Sequence, residues 1–140
     1  MKHVLSVALL FVLALDVHTA PQAGPQLRVG LARPGGGFTV VTMPLETYVA
    51  RVLAGEAARD SRPAALEALA MTIRTFALAN SGRHRGEGFD LCDQTHCQVV
   101  RTATPATERA AQTTAGRVLM NGGAPAFACR PPCPSPPGAA

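Results

Sequence analysis

The chain has 140 residues, of which only 4% are aromatic, and its net charge of +4 comes from arginines scattered along the sequence. Proteins that bind nucleic acids usually concentrate positive charge and offer aromatic rings on which bases stack. Neither feature is present, so we do not expect a nucleic-acid partner. The length leaves room for one modest domain.

The first 20 residues have the composition of a secretion signal. A short basic start at residues 1–3 precedes an apolar run at residues 4–15. This run is too short to cross a bilayer as a stable helix, but it suits the apolar part of a signal peptide. We predict a signal peptide at residues 1–20, with an uncleaved membrane anchor as the alternative, followed by a linker at 21–25. The protein is therefore predicted to be exported, to the periplasm, the cell envelope or the exterior, without further membrane contact.

The next elements predict an α+β domain that starts with a hairpin. Apolar residues alternate at 27–31, a turn rich in proline and glycine follows at 34–37, and β-branched residues dominate 38–42. Pro44 is predicted at the first position of a helix over 45–58, because proline lacks the N–H that would be unsatisfied there.

Two more helices follow along the chain. One is predicted from about Pro63 to about Asn80, and the other begins after Thr104 and ends at Gly116. The polar stretch at 81–90 between them is predicted to be a loop. Helices packed with short antiparallel strands are the expected architecture.

The end of the sequence predicts a second hairpin and then a tail. Asn-Gly at 121–122 predicts the turn between strands at 118–120 and 126–127. A composition rich in proline, serine, glycine and alanine cannot pack a core, so we predict a domain at 26–128 and a disordered tail at 129–140. The tail contains Cys129 and Cys133, for which a local disulfide or none is expected.

Glu56 is the first candidate for chemistry. It ends a series at three- and four-residue steps that otherwise consists of Leu45, Val49 and Val52, so it is predicted on an apolar helix face. A carboxyl group there would be desolvated, which raises its pKa and suits a general acid for a glycosidic bond. The alternative is a helix-end glutamate that turns to solvent or caps a neighbouring loop.

Hydrolysis of a glycosidic bond normally needs a second carboxylate opposite the first. The nearby acids are Asp60, Glu67, Asp90 and Asp93, and none stands in a clear partner position. A single acid suffices if a hydroxyl of the sugar itself replaces water as the nucleophile. The sequence therefore favours intramolecular chemistry.

Arg74 lies between the apolar positions Ile73 and Phe76 of the second predicted helix. Its guanidinium is expected near the edge of the core, where it would need a carboxylate partner. A structural salt bridge with Glu46 or Glu67 is the favoured interpretation, and a part in shaping the site is the other.

Cys92, His96 and Cys97, with His84 upstream, supply sulfur and imidazole ligands in the number that tetrahedral zinc prefers. The spacing is not that of a zinc finger. A disulfide between Cys92 and Cys97 fits an exported chain equally well, so the residues alone leave both interpretations open.

Four of these segments, in their order and spacing, resemble the SpoIID/LytB family. Its members carry a Leu-Glu-x-Tyr-Val helix, a Gly-Glu pair, an Arg-Thr-Tyr-Ala helix segment and a Cys-Asp-x-Thr-His-Cys-Gln segment. The matching stretches here are residues 45–49, 55–56, 74–77 and 92–98, with Phe76 in place of the family's tyrosine. Four motifs in order are far more specific than any one of them.

The resemblance implies a SpoIID-like domain and a lytic transglycosylase of bacterial peptidoglycan. Such an enzyme cleaves the bond between N-acetylmuramic acid and N-acetylglucosamine and leaves a 1,6-anhydro end. The family's catalytic glutamate corresponds to Glu56. Arg74 and Gln98 lie in matching segments and are predicted to contact the substrate.

The resemblance also bears on the cysteines and histidines. It implies a zinc-associated segment at Cys92, His96 and Cys97, with His84 as a further ligand. This moves the expectation for the segment from an open choice toward a structural metal.

The family pattern continues past the point where this sequence becomes rich in proline, so the resemblance predicts an incomplete domain that is truncated at the C-terminus. Two other functions stay open. One is a non-catalytic wall-binding or amidase-enhancing module, a role also attributed to family members. The other is a small exported metal-binding domain.

Overall fold

A computed structural model describes residues 24–126 of the chain. The predicted signal peptide, most of the predicted linker and the predicted tail lie outside the described residues. Among residues 24–126, no helix is both long and apolar enough to cross a bilayer.

A hairpin begins the described part of the chain, as predicted. Strand β1 (Gln26–Ala32) pairs antiparallel with β2 (Phe38–Pro44), with Gln26 opposite Pro44 and Ala32 opposite Phe38. Pro44 is the last residue of β2 and immediately precedes helix α1, so its predicted place inside the helix is wrong by one residue. Proline still suits this boundary, because it fixes an extended backbone without needing an N–H donor.

Three helices form the rest of the framework. They are α1 (Leu45–Glu56), α2 (Pro63–Ala79) and α3 (Pro105–Thr113), and all three pack against one another. Helix α3 starts at a capping box in which Thr104 and Thr107 satisfy each other's backbone N–H groups. Helix α1 ends at Glu56, two residues earlier than predicted, and this shortening matters for the site.

The core lies between these helices and the sheet. From α1, the side chains of Tyr48, Val49, Val52 and Leu53 are completely buried, and Ile73 and Ala77 of α2 are buried against the same core. The alternation of buried and exposed residues along the helices is the one that amphipathic packing requires. The predicted α+β class is confirmed.

Two short elements complete the fold. Strand β3 (Leu91–Cys92), which the sequence did not predict, pairs parallel with β1 and gives the sheet the order β2-β1-β3. Strands β4 (Met120–Asn121) and β5 (Ala124–Pro125) form the second hairpin, displaced by one or two residues from the predicted strands. Its turn lies at Gly122 and Gly123, both with positive φ, as an Asn-Gly-Gly sequence favours.

Candidate functional site

Two histidines and two cysteines converge at the end of β3. The ligand atoms of His84, Cys92, His96 and Cys97 all lie within 4.8 Å of one another. The Nε2 atoms of the two histidines are 3.2 Å apart, and Cys92 Sγ lies 3.2 Å from the His96 nitrogen. Cys97 Sγ is 3.4 Å from Nε2 of His84. We call this group the Cys/His cluster.

The sheet and a short turn bring the cluster together. Cys92 lies opposite Gly30 in the parallel pairing of β3 with β1, which fixes its backbone. The ring of Phe89 stacks on His84 with centroids 4.9 Å apart. A Cβ atom on Gly30 would lie 2.7 Å from that phenyl ring, so only glycine leaves room for it. The cluster therefore rests on a tightly packed support.

Glu87 orients one of the two histidines. A 3-10 turn at Arg85–Glu87 places its carboxylate 2.8 Å from Nδ1 of His84. Histidines that bind metals commonly donate their second ring N–H to a carboxylate, which fixes the tautomer and points the other nitrogen at the ion. His84 has this arrangement, with Nε2 facing the cluster.

Three separations between ligand atoms of the cluster are compatible with a zinc site. Zinc bonds of about 2.3 Å to sulfur and about 2.0 Å to nitrogen, in a tetrahedron, give nitrogen–nitrogen separations of about 3.3 Å and nitrogen–sulfur separations of about 3.5 Å. The observed separations of 3.2 to 3.4 Å are close to these values. The predicted set of four possible ligands is thus brought together by the fold.

Neither Cys92 nor Cys97 is in a disulfide, so the structure has both thiols free beside the two histidines. Burial raises the pKa of the Cys92 thiol to about 12, and the neighbouring Cys97 adds to the shift. A buried thiol of this kind loses its proton when a cation replaces it as the partner of sulfur. The other two cysteines of the sequence, Cys129 and Cys133, lie outside the described residues.

Glu56 is exposed, so the prediction that its carboxyl group is desolvated is wrong. The reason is that α1 ends at this residue, and the apolar face that buries Val52 and Leu53 does not extend around its side chain. Oε1 of Glu56 accepts a hydrogen bond of 3.1 Å from the backbone N–H of Val99. The glutamate thus faces solvent and also ties the loop after the cluster to the helix end.

Gln98 lies in the loop after the cluster, directly before Val99, whose N–H binds Glu56. It is buried, and its Oε1 accepts a hydrogen bond of 3.1 Å from the hydroxyl of Tyr48. Burial raises the pKa of Tyr48 well above its usual range, and the nearby Cys97 and Glu56 add to the effect. Because the tyrosine stays protonated, it remains a donor to Gln98. The contact of Gln98 with substrate stays a prediction.

Arg74 lies away from this loop, in the interior between the three helices, and is completely buried. Its guanidinium donates to both carboxylate oxygens of Glu46, with Nε 2.9 Å from Oε1. It also donates to the carbonyls of Ala111 and Arg117 and to the hydroxyl of Thr114. The structural salt bridge is confirmed, with Glu46 and not Glu67 as the partner. Contact of Arg74 with a glycan would require this network to open.

Two of the acids considered as second carboxylates have structural partners. Asp90 pairs with Arg28 of β1 through both of its oxygens. Asp93 accepts the backbone N–H of Ala32 at 3.0 Å. Both therefore fasten β3 and its flanks to β1.

The fold and the site define the class of protein. It is a small α+β domain in which two cysteines and two histidines come together near an exposed glutamate. Residues 35–121, more than half of the chain, match the family described as Stage II sporulation protein, SpoIID. The chain therefore belongs to the SpoIID family, which is related to the cell wall. The match includes every predicted site residue. A comparison with curated proteins found no match.

Sequence reasoning missed three groups that the structure places at this site. Glu87 could have been found from its position three residues after His84, which is a spacing that brings side chains together in a helical turn. Tyr48 was visible only as part of a motif. The N–H of Val99 carries no side-chain signal, because any residue type supplies the same backbone donor.

Proposed function

We propose that the protein is an exported lytic transglycosylase of peptidoglycan, in which Glu56 is first the general acid and then the general base. The observation that carries the proposal is the position of Glu56, at an exposed helix end in the Gly-Glu motif, with one oxygen fixed by Val99 N–H. Membership in the SpoIID family supports the substrate class.

The reaction needs only one carboxyl group. The protonated carboxyl of Glu56 gives its proton to the bridging oxygen as the bond from the anomeric carbon to that oxygen breaks. The 6-hydroxyl of the same muramic acid residue then attacks the anomeric carbon and returns its proton to Glu56. The glycan gains a 1,6-anhydro end, and the carboxyl group is restored.

Two of the four acids considered as a second carboxylate have structural partners, which is compatible with this intramolecular route. A hydrolase would need a second carboxylate to activate water or to act as nucleophile. Asp90 and Asp93 are occupied by Arg28 and by the backbone of Ala32, respectively. A nucleophile supplied by the sugar removes the need for either residue.

Because Glu56 is exposed, the substrate itself would have to desolvate its carboxyl group. A general acid must hold its proton near neutral pH, and in this protein the helix end alone does not desolvate it. A glycan strand bound across the helix end would exclude water from the carboxyl group. Peptidoglycan is thus both the proposed substrate and the proposed source of the desolvation that the reaction requires.

His84, Cys92, His96 and Cys97 would hold a zinc ion. The ion would cross-link His84, which precedes the turn at Arg85–Glu87, to the end of β3 and the loop after it. With four protein ligands such an ion would have the closed coordination of a structural site. The role of these residues is to fix the loop that carries Gln98 and Val99.

The test uses the full chain, after removal of the predicted signal, on purified peptidoglycan strands. Wild type is expected to release anhydro-muropeptides, and Glu56→Gln is expected to lower the rate by at least about 100-fold, because it cannot donate the proton. Glu108→Gln is the matched control, an exposed glutamate in the first turn of α3. Release by Glu56→Gln at the wild-type rate would rule out the proposed acid.

One observation favours a second candidate function, that of a non-catalytic wall-binding or amidase-enhancing module. The carboxylate of Glu56 holds a backbone N–H of a neighbouring loop, which is what a purely structural helix-end glutamate does. This candidate predicts glycan binding, or stimulation of a cell-wall amidase, that survives Glu56→Gln. Wild type would then release no anhydro product.

A further inference from the structure

The last turn of α1 and the loop after the Cys/His cluster approach each other too closely for any side chain. A Cβ atom on Gly55 would lie 2.3 Å from the carbonyl oxygen of Val99 and 3.0 Å from its carbon. A Cβ contact of 2.3 Å essentially never occurs in proteins, and both atoms in the way belong to the backbone of Val99. Glycine weakens a helix relative to alanine, so its presence here serves this approach.

A buried hydrogen bond also attaches this loop to α1, at a residue two helical turns before Gly55. Tyr48 stands seven residues before Gly55, on the same side of α1, and donates to Oε1 of Gln98 at 3.1 Å. Tyr48 is completely buried and Gln98 is 6% exposed. The loop is therefore attached to α1 through the side chain of Gln98 and the backbone of Val99.

The consequence of both contacts is the orientation of Glu56. Val99 N–H lies 3.1 Å from Oε1, and no residue among 24–126 donates a hydrogen bond to Oε2. In a protonated carboxyl group, one oxygen carries the proton and the other is the better acceptor. A fixed donor at Oε1 therefore favours the proton on Oε2.

We propose that Gly55, Tyr48 and Gln98 are positioning residues for Glu56, and that the N–H of Val99 makes Oε2 the oxygen that exchanges the proton with the glycan. This inference rests on the proposed function. It adds that the two oxygens of Glu56 have different roles, since Oε1 accepts the N–H of Val99 and Oε2 exchanges the proton. The residues that orient the carboxyl group need not touch the substrate. Displacement of a reacting group by about 1 Å can cost on the order of 100-fold in rate.

The first test is Gly55→Ala in the full chain, with anhydro-muropeptide release as the assay. A Cβ atom must push the loop away, so kcat is expected to fall by about 10- to 100-fold while KM stays within about twofold. Gly24→Ala is the control, because a Cβ there has no atom within 4 Å. A folded Gly55→Ala variant with the kcat of wild type would overturn the proposal.

A second variant keeps the test decisive if Gly55→Ala does not fold. Tyr48→Phe retains the buried ring and removes only the hydroxyl that donates to Gln98. Its kcat is expected to fall by several-fold, about 3- to 10-fold, again without a matching rise in KM. A variant that lost stability but kept its kcat would assign Tyr48 to the core alone and contradict the positioning role.

A third measurement needs no activity. The amide proton of Val99 is expected to exchange slowly with solvent in wild type and at least about tenfold faster in Glu56→Ala, because its acceptor is gone. Equal exchange in both proteins would overturn the proposal. If exchange responds but wild type releases no anhydro product, the hydrogen bond stands and the proposed enzymatic function fails, and the assignment of Oε2 fails with it.

Discussion

Glu46 and Glu56 stand in the first and last turns of helix α1, and their carboxylates have opposite surroundings. Glu46 binds the buried guanidinium of Arg74 through both oxygens, and its side chain is 22% exposed. Glu56 is exposed and holds one backbone N–H through one oxygen. The same residue type thus serves the interior at one end of the helix and faces solvent at the other.

The difference teaches which carboxylates of this fold are free for chemistry. A carboxylate whose oxygens are both bound to a buried guanidinium cannot exchange protons with a substrate without breaking the pair. A carboxylate with one fixed and one unbound oxygen is oriented and still accessible. Substitutions in the buried network around Arg74 should therefore mainly lower stability. Substitutions at Glu56 and the Cys/His cluster should mainly change activity and zinc binding.

The largest expected effect comes from breaking the interior pair. Arg74→Met leaves Glu46 and two backbone carbonyls without their donor, and it should lower the free energy of unfolding by about 3–5 kcal/mol. Urea denaturation followed by circular dichroism would measure this. Such a loss is a large part of the stability of a small domain.

The control for that variant is Arg28→Met, which removes the corresponding partner from Asp90 at the surface. The Arg28 side chain is 47% exposed, so its ion pair is screened by water and the loss should be much smaller. Similar losses in both variants would remove the distinction between the interior network and the surface.

A smaller effect is expected at the Cys/His cluster when Glu87 is changed. Glu87→Gln weakens the acceptor that orients His84, and it should lower the affinity for zinc by about tenfold, the low end of such effects, because Glu87 is 55% exposed. Competition with a chromogenic chelator would measure the affinity. Unchanged affinity would show that Glu87 does not orient the ligand.

The smallest effect on stability is expected at Asp90, a carboxylate that is paired like Glu46 but with an exposed arginine. The hydrogen bond from Arg28 is the main cause that lowers the pKa of Asp90 below its ordinary value of 3.8. A lowered pKa stabilises the folded protein above the ordinary value, and this contribution is lost as the pH falls through the folded pKa. Asp90→Asn should therefore be less stable than wild type at pH 7, with a difference that shrinks below about pH 4. Thermal melts across this range would measure it, and a constant difference would contradict the ion pair.

Much of the framework could be predicted from the sequence, because its signals are local. Alternation of apolar residues predicted the first hairpin, and Thr104 followed by proline predicted the start of α3, where the structure has a capping box. Strand β3 was missed because two residues carry no periodicity, and its pairing with β1 joins positions about sixty residues apart.

The site was only partly predictable. The four possible metal ligands follow from residue type, and the fold brings them together. The burial of Glu56 was wrongly predicted because periodicity does not reveal that the helix ends at that residue. The donor from Val99 depends on how a distant loop packs against α1, which no local pattern encodes.

The most direct test of the central claim is the fate of water oxygen during cleavage. Digestion of purified peptidoglycan by the full chain in water enriched in heavy oxygen, followed by mass spectrometry, separates the two routes. Attack by the sugar's own hydroxyl through Glu56 predicts anhydro products that contain no heavy oxygen. Products with labelled reducing ends, or no glycan products at all, would contradict the account.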